Sequence, residues 1–286
     1  MRLSNDEGAQ QSNTMPPARR ILVHIEDTQS AHCRLTTAQV LARPLDADLL
    51  ACYCVTSTAM RHPLQVGLAL RSVDECKRED DLRCGSAFAA FRRACGGLPG
   101  CDWLEMPGNP EALFVRQALY GDYLVLQRPD GQSEEPNVPA AFIEHVLMYS
   151  GKPALVLPQG EAIHQLPRTV AMAWTETREA ALAVASAMPF LRDARKVHTM
   201  GCGEDACVAV PALAGRLEAQ GVRVEQHDLE GVRAQAGHAV IERATGLGAD
   251  LLVMGSYGHG PTRELLVGGV SRTVLDKMPL PVLMAH

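Results

Sequence analysis

The chain has 286 residues, enough for two domains with separate cores, and 47% of them are hydrophobic against 21% charged, the balance of an ordinary globular protein. A net charge of -6 at pH 7 excludes a broad nucleic-acid-binding face, yet leaves room for a small phosphorylated ligand, since a local cluster of backbone N–H groups needs no basic protein around it. No apolar run approaches the ~18 residues of a membrane span, and the nine cysteines include no Cys-x-x-Cys pair, so a cytoplasmic protein with reduced thiols is expected.

Residues 1–18 contain Asp6 and Glu7 and no apolar core, which makes them no secretory signal; a disordered arm is the expectation. The run from Arg20 to Thr28 reads as a buried strand leading into a helix. Farther on, Arg71 to Ala94 is charged and helical in composition, predicting an elongated second helix with a loop before it. The segments from Tyr120 to Leu126 and from Lys152 to Leu157 are two more strands, and 160–167, with Gly160 and Pro167 as breakers, reads as a linker.

Beyond the linker, strands are predicted near residues 169–174, 196–201, 222–229, 250–254 and 281–285. Helices fall near 178–188, 206–219, 233–246 and 270–278, the first capped by Thr177 and ending near Pro189. Such alternation argues for a parallel sheet with helices on both faces. The strand around Leu124, after Tyr120-Gly121-Asp122, matches the one around Leu252, after Gly248-Ala249-Asp250, and Pro153-Ala154-Leu155-Val156-Leu157 matches Pro281-Val282-Leu283-Met284. The pattern reads as a tandem repeat: an arm at 1–18, one domain at 19–159, the linker at 160–167 and a second domain at 168–286. The expected class is α/β, two tandem doubly wound domains of five parallel strands each.

One motif carries chemistry. Gly255-Ser256-Tyr257-Gly258 follows the apolar run Leu251 to Met254, and nine residues separate Gly258 from Gly268-Gly269. These glycines lie between a strand's carboxyl end and the start of the helix expected from Val270. At such a junction backbone N–H groups lack intrahelical partners, the helix dipole favours anions, and missing side chains let a phosphate approach.

Gly-x2-Gly-x9-Gly, preceded by Ala249-Asp250-Leu251-Leu252-Val253-Met254 and followed by Pro281-Val282-Leu283-Met284, resembles the carboxyl-terminal signature of the universal stress protein family. The segment from Ala173 to Ala180 and the run Gly255 to Gly260 are similar to a tandem bacterial subgroup of it. The resemblance implies a Rossmann-like, adenine-nucleotide alpha-hydrolase-like fold and an ATP, ADP or AMP site, with Mg²⁺ accompanying ATP. Carried over by position, that site comprises Ala173, Thr175, Met254, Gly255, Gly258, Gly268, Gly269, Val270 and Ser271. Two departures stand out. Family members that bind nucleotide have an Asp at the end of the first strand, where this chain has Glu26 in one half and Thr175 in the other. The family's motif closes with a hydroxyl residue, where Gly269 stands here. A hydrogen bond to a charged group is worth about 1.5–3 kcal/mol, so its loss weakens binding on the order of tenfold to a hundredfold, with Ser271 the nearest substitute.

In the first half Gln127-Arg128-Pro129-Asp130 replaces the glycine loop and Glu134-Glu135 follows, so no nucleotide is expected there. That half is expected to pair with the second as an intramolecular pseudo-dimer, and the chain to form a homodimer. No positioned general base, nucleophile pair or carboxylate pair for Mg²⁺ marks the loop, so a stress-response binding module with at most slow ATP hydrolysis is the reading. The alternative is a dimeric or chaperone-like scaffold without nucleotide, pairing through the edge of the closing strand at Pro281 to Met284. Trp174 reads as core, and His198, His227 and His238 are too scattered for a metal, so none is expected.

Overall fold

A computed structural model describes residues 19–27, 30–128, 137–202, 206–229, 236–256 and 269–286. The first half runs β1 (Arg19–Ile25), α1 (Ser30–Leu45), β2 (Ala47–Tyr53), α2 (Thr58–Arg61), α3 (Pro63–Gly67), α4 (Val73–Cys95), β3 (Cys101–Glu105), α5 (Pro110–Ala118), β4 (Tyr123–Gln127), α6 (Phe142–Ser150) and β5 (Ala154–Leu157). The second runs β6 (Thr169–Trp174), α7 (Arg178–Leu191), β7 (Lys196–Cys202), α8 (Ala206–Glu218), β8 (Val224–Leu229), α9 (Ala236–Gly246), β9 (Leu251–Gly255), α10 (Val270–Lys277) and β10 (Val282–Ala285). The expected arm at 1–18 lies outside the described residues.

Strands buried on both faces need apolar side chains in both directions, which is why β4, β5 and β10 are continuous apolar or fully buried runs without alternation. Each half orders its five strands in the same way. The two sets join in one ten-stranded sheet, β3-β2-β1-β4-β5-β10-β9-β6-β7-β8. All pairings are parallel except the junction, where β5 and β10 run antiparallel with Val156 opposite Val282, Leu155 opposite Leu283 and Ala154 opposite Met284. The expectation that β10 offers a free edge is therefore wrong: β5 takes one side of it and β9 the other.

One face of the sheet packs against α1, α4 and α7 through Leu35, Phe91, Ala183 and Phe190. The opposite face packs against α5, α6, α9 and α10 through Phe114, Val146, Val240 and Val274. Two expectations about helices need adjustment. The segment before the long helix α4 is not a loop but the short helices α2 and α3, and α4 itself starts on a reciprocal capping box between Ser72 and Glu75. Nor does α7 end near Pro189. It continues to Leu191 with the proline inside, because Phe190 and Leu191 are buried and hold the last turn against the core. The connection between β5 and β6 is also packed, with Ile163 buried and its amide donating to Thr37 Oγ1 at 2.9 Å.

Candidate functional site

In each half the strand order reverses beside the first strand, between β1 and β4 and between β6 and β9, and ligands of open α/β sheets bind outside the carboxyl ends at such a point. The second half brings several predicted residues to that edge. Ala173 on β6 is the register partner of Met254 on β9, so Thr175 and Gly255 leave adjacent strands on the same side. Thr175 is exposed, and its carbonyl accepts from the Thr177 amide at 2.7 Å in the tight turn that opens α7. Thr177 caps that helix as predicted, its Oγ1 accepting from the Ala180 amide at 3.2 Å. Ser256 is tied down by donating its amide and hydroxyl to the Ala285 carbonyl, and its own carbonyl meets His286 Nδ1 at 2.9 Å.

Gly255 has a packing reason that the motif alone did not reveal. A Cβ there would stand 2.5 Å from the Ala180 amide nitrogen and 2.8 Å from the Glu179 carbonyl carbon, so the glycine lets β9 end against the first turn of α7. Gly269 is the N-cap of α10 and makes no side-chain cap hydrogen bond. Ser271 is buried in the same turn. Gly258 and Gly268, with Tyr257 and His259, lie outside the described residues. Sequence reasoning missed Glu179, buried beside Gly255. Burial works to raise its carboxyl, but its own backbone amide, Arg178 and His286 outweigh that and keep the group below the ordinary range. Only its place in the first turn after a capping threonine hinted at this.

The equivalent edge of the first half is filled by its own side chains. Glu26, at the end of β1, is paired with buried Arg34 at 3.0 Å. Arg83, reaching in from α4, meets Asp27 at 3.0 Å and Asp80 at 3.3 Å and also holds the Thr56 carbonyl and Asn137. Gln127 donates to the Pro158 and Glu161 carbonyls. Residues 129–136, including Glu134 and Glu135, lie outside the described residues.

Two other expectations change. Trp174 is half-buried rather than core, and among the described residues its indole N–H is enclosed without a partner beside a partly open cavity of about 420 Å³ between α7 and α8. His198 and His227 are not scattered: β7 and β8 bring them together, with Nδ1 of His198 2.9 Å from Nε2 of His227. Burial lowers the pKa of both, with Lys196 and Arg243 adding to the effect on His198 and Arg243 to that on His227.

The strand order, the mostly parallel sheet and the glycine-marked edge define a Rossmann-like fold of the adenine-nucleotide alpha-hydrolase-like type. Residues 164–286 match the model of the universal stress protein family. The protein described as "Universal stress protein in QAH/OAS sulfhydrylase 3'region" from Thermus aquaticus is 38% identical over 84 residues, which cover 26% of this chain and 61% of that one. A solved universal stress protein from Archaeoglobus fulgidus DSM 4304 aligns with a TM-score of 0.71 at 15% identity, covering 94% of this chain and 96% of its own. A putative universal stress protein from Pseudomonas aeruginosa UCBPP-PA14 gives 0.57 at 17% identity, covering 93% and 92%. Residues 164–286 carry a domain of the universal stress protein family.

Proposed function

We propose that the second half is a binding module for a small adenine nucleotide, ATP, ADP or AMP, held at the carboxyl edge between β6 and β9, and that ligand state controls dimerisation or partner choice in a stress response. The reading is supported by the pairing of Ala173 with Met254 at the point where the strand order reverses, with Gly255 closing β9 and Gly269 opening α10. The nucleoside would lie by Ala173 and Thr175. The phosphates would meet the amides of Gly269, Val270 and Ser271, where aligned N–H dipoles favour an anion. Mg²⁺ would accompany ATP on its phosphates. With Thr175 in place of a carboxylate, ribose recognition is looser and affinity is modest. The first half serves as a partner surface, since Arg83, Arg34 and Gln127 fill its corresponding edge.

Calorimetric titration of nucleotide-stripped protein with ATP and AMP, with and without Mg²⁺, tests the proposal. One site per chain is expected. Absence of heat at millimolar ligand would leave the second reading, a family scaffold without nucleotide. That reading has lost its pairing edge at β10 and retains only the two departures at Thr175 and Gly269.

A further inference from the structure

At the opposite side of the second half from the glycine edge, three metal-ligating side chains converge. His198 on β7 and Glu225 on β8 are register partners in adjacent parallel strands, and His227 follows two residues after Glu225, so it points to the same face of the sheet. His198 Nδ1 lies 2.9 Å from His227 Nε2 and 3.4 Å from Glu225 Oε2, and one ligand atom from each of the three falls within 4.8 Å of the others. The His198 side chain is buried and cannot withdraw, while Glu225 is half exposed and free to adjust. The second carboxylate oxygen of Glu225 is 2.9 Å from Lys196 Nζ, which leaves Oε2 directed at the histidines.

We propose that His198, Glu225 and His227 form a site for a divalent transition metal of the zinc class, with a fourth position open to water. A tetrahedral zinc bound by nitrogen and oxygen at ~2.0–2.2 Å keeps its ligand atoms about 3.3 Å apart. Two of the three separations bracket that value and the third, His227 to Glu225, is within 4.8 Å, so a rotation of Glu225 brings its carboxylate into range once His227 is released from Arg243. Two imidazoles and one carboxylate suit zinc and its neighbours, not calcium or magnesium, which prefer oxygen alone. The metal would clip β8, outermost among the described strands and paired there with β7, to the sheet.

The metal-free arrangement also names the group that opposes binding. Arg243 on α9 places Nη2 2.9 Å from His227 Nδ1. A guanidinium can only donate, so Nδ1 accepts, the imidazole proton sits on Nε2, and Nε2 donates to His198 Nδ1. Zinc must displace that proton from Nε2 to solvent, His227 must take the tautomer protonated at Nδ1, and Arg243 must turn away. Removing Arg243 should therefore tighten metal binding, an effect that no loss of structure produces.

The test uses the full chain, stripped of metal with a chelator, kept reduced, and titrated with zinc chloride against a chromophoric competitor. One zinc per chain is expected in a site that His227→Gln weakens by at least about tenfold and Arg243→Gln tightens by about tenfold, the range of effects seen when a ligand's outer partner is changed. Zinc held instead by the thiols would be unaffected by His227→Gln, and that result overturns the proposal. So does failure to bind micromolar zinc, or an Arg243→Gln variant that binds no more tightly than the parent.

Discussion

His24 is almost completely enclosed, its Nε2 2.8 Å from the Cys54 carbonyl and its ring 4.6 Å and 5.6 Å from those of Phe142 and Phe114. Burial, with the nearby Arg34 charge second, lowers its pKa from 6.5 to about 4. The native imidazole thus stays neutral while the unfolded chain takes up a proton below 6.5. The stability it contributes is present above that pH and is lost as pH falls toward 4, about 3 kcal/mol in all. Glu26 acts in the same direction: burial raises its carboxyl, but the Arg34 charge and its hydrogen bond prevail and lower it, so its contribution also fades on acidification. Urea denaturation at stepped pH should show stability falling between pH 6.5 and 4 with a slope that His24→Phe visibly flattens. An unchanged slope would mean that His24 is not the group responsible. Among the described residues Nε and Nη2 of Arg34 have no hydrogen-bond partner. Arg34→Met should cost about 3–5 kcal/mol by stranding the carboxylate of Glu26, whereas the double variant Glu26→Leu with Arg34→Met should recover most of it. Equal losses in the single and double variants would contradict the stranded-charge account.

At the scale of elements, α7 shows how local sequence and tertiary packing divide the work. Thr177→Ala removes the acceptor for the Ala180 amide and should cost about 1 kcal/mol, measured by thermal or urea unfolding. Gly255→Ala should cost more, about 1–3 kcal/mol, because the new methyl group meets backbone that cannot rotate aside. If Gly255→Ala were silent, the close approach of β9 to α7 would not exist in solution. The cap, the strands expected at 169–174 and 196–201 and the helices after them were legible in the sequence, since each rests on local chemistry: a threonine before a helical run, or apolar residues at a fixed period. The continuation of α7 through Pro189 was not, because it depends on Phe190 and Leu191 finding a core that the sequence does not display. The same distinction runs through the sites. Thr175, Gly255 and Gly269 were identifiable from a linear motif, whereas the meeting of His198, Glu225 and His227 depends on the parallel register of β7 with β8, the first two being separated by 27 positions in the chain. Arg83 reaching Asp27 over a separation of 56 residues is invisible for the same reason.

At the scale of the molecule, the antiparallel contact of β5 with β10 makes one sheet of what would otherwise be two. The residues at that seam, Leu155, Val156, Val282 and Leu283, are as buried as any in the centre of either half. Splitting the halves would expose them together with two rows of backbone donors and acceptors, a penalty that neither half can avoid by unfolding alone. The chain should therefore lose both halves in one transition, although its length alone would allow separate ones. The only two tryptophans provide the means to observe this, since Trp103 lies on β3 in the first half and Trp174 on β6 in the second. Trp174→Phe leaves a reporter for the first half and Trp103→Phe one for the second. Referred to the ellipticity change of the same variant, each fluorescence transition should have a coincident urea midpoint. Leu283→Ala, introduced into both backgrounds, should lower both midpoints together by an amount corresponding to about 2–5 kcal/mol, because the cavity it opens belongs to the shared seam. A shift confined to the Trp174 reporter would mean that the seam transmits little, and that the halves are neighbours in a sheet without being one cooperative unit.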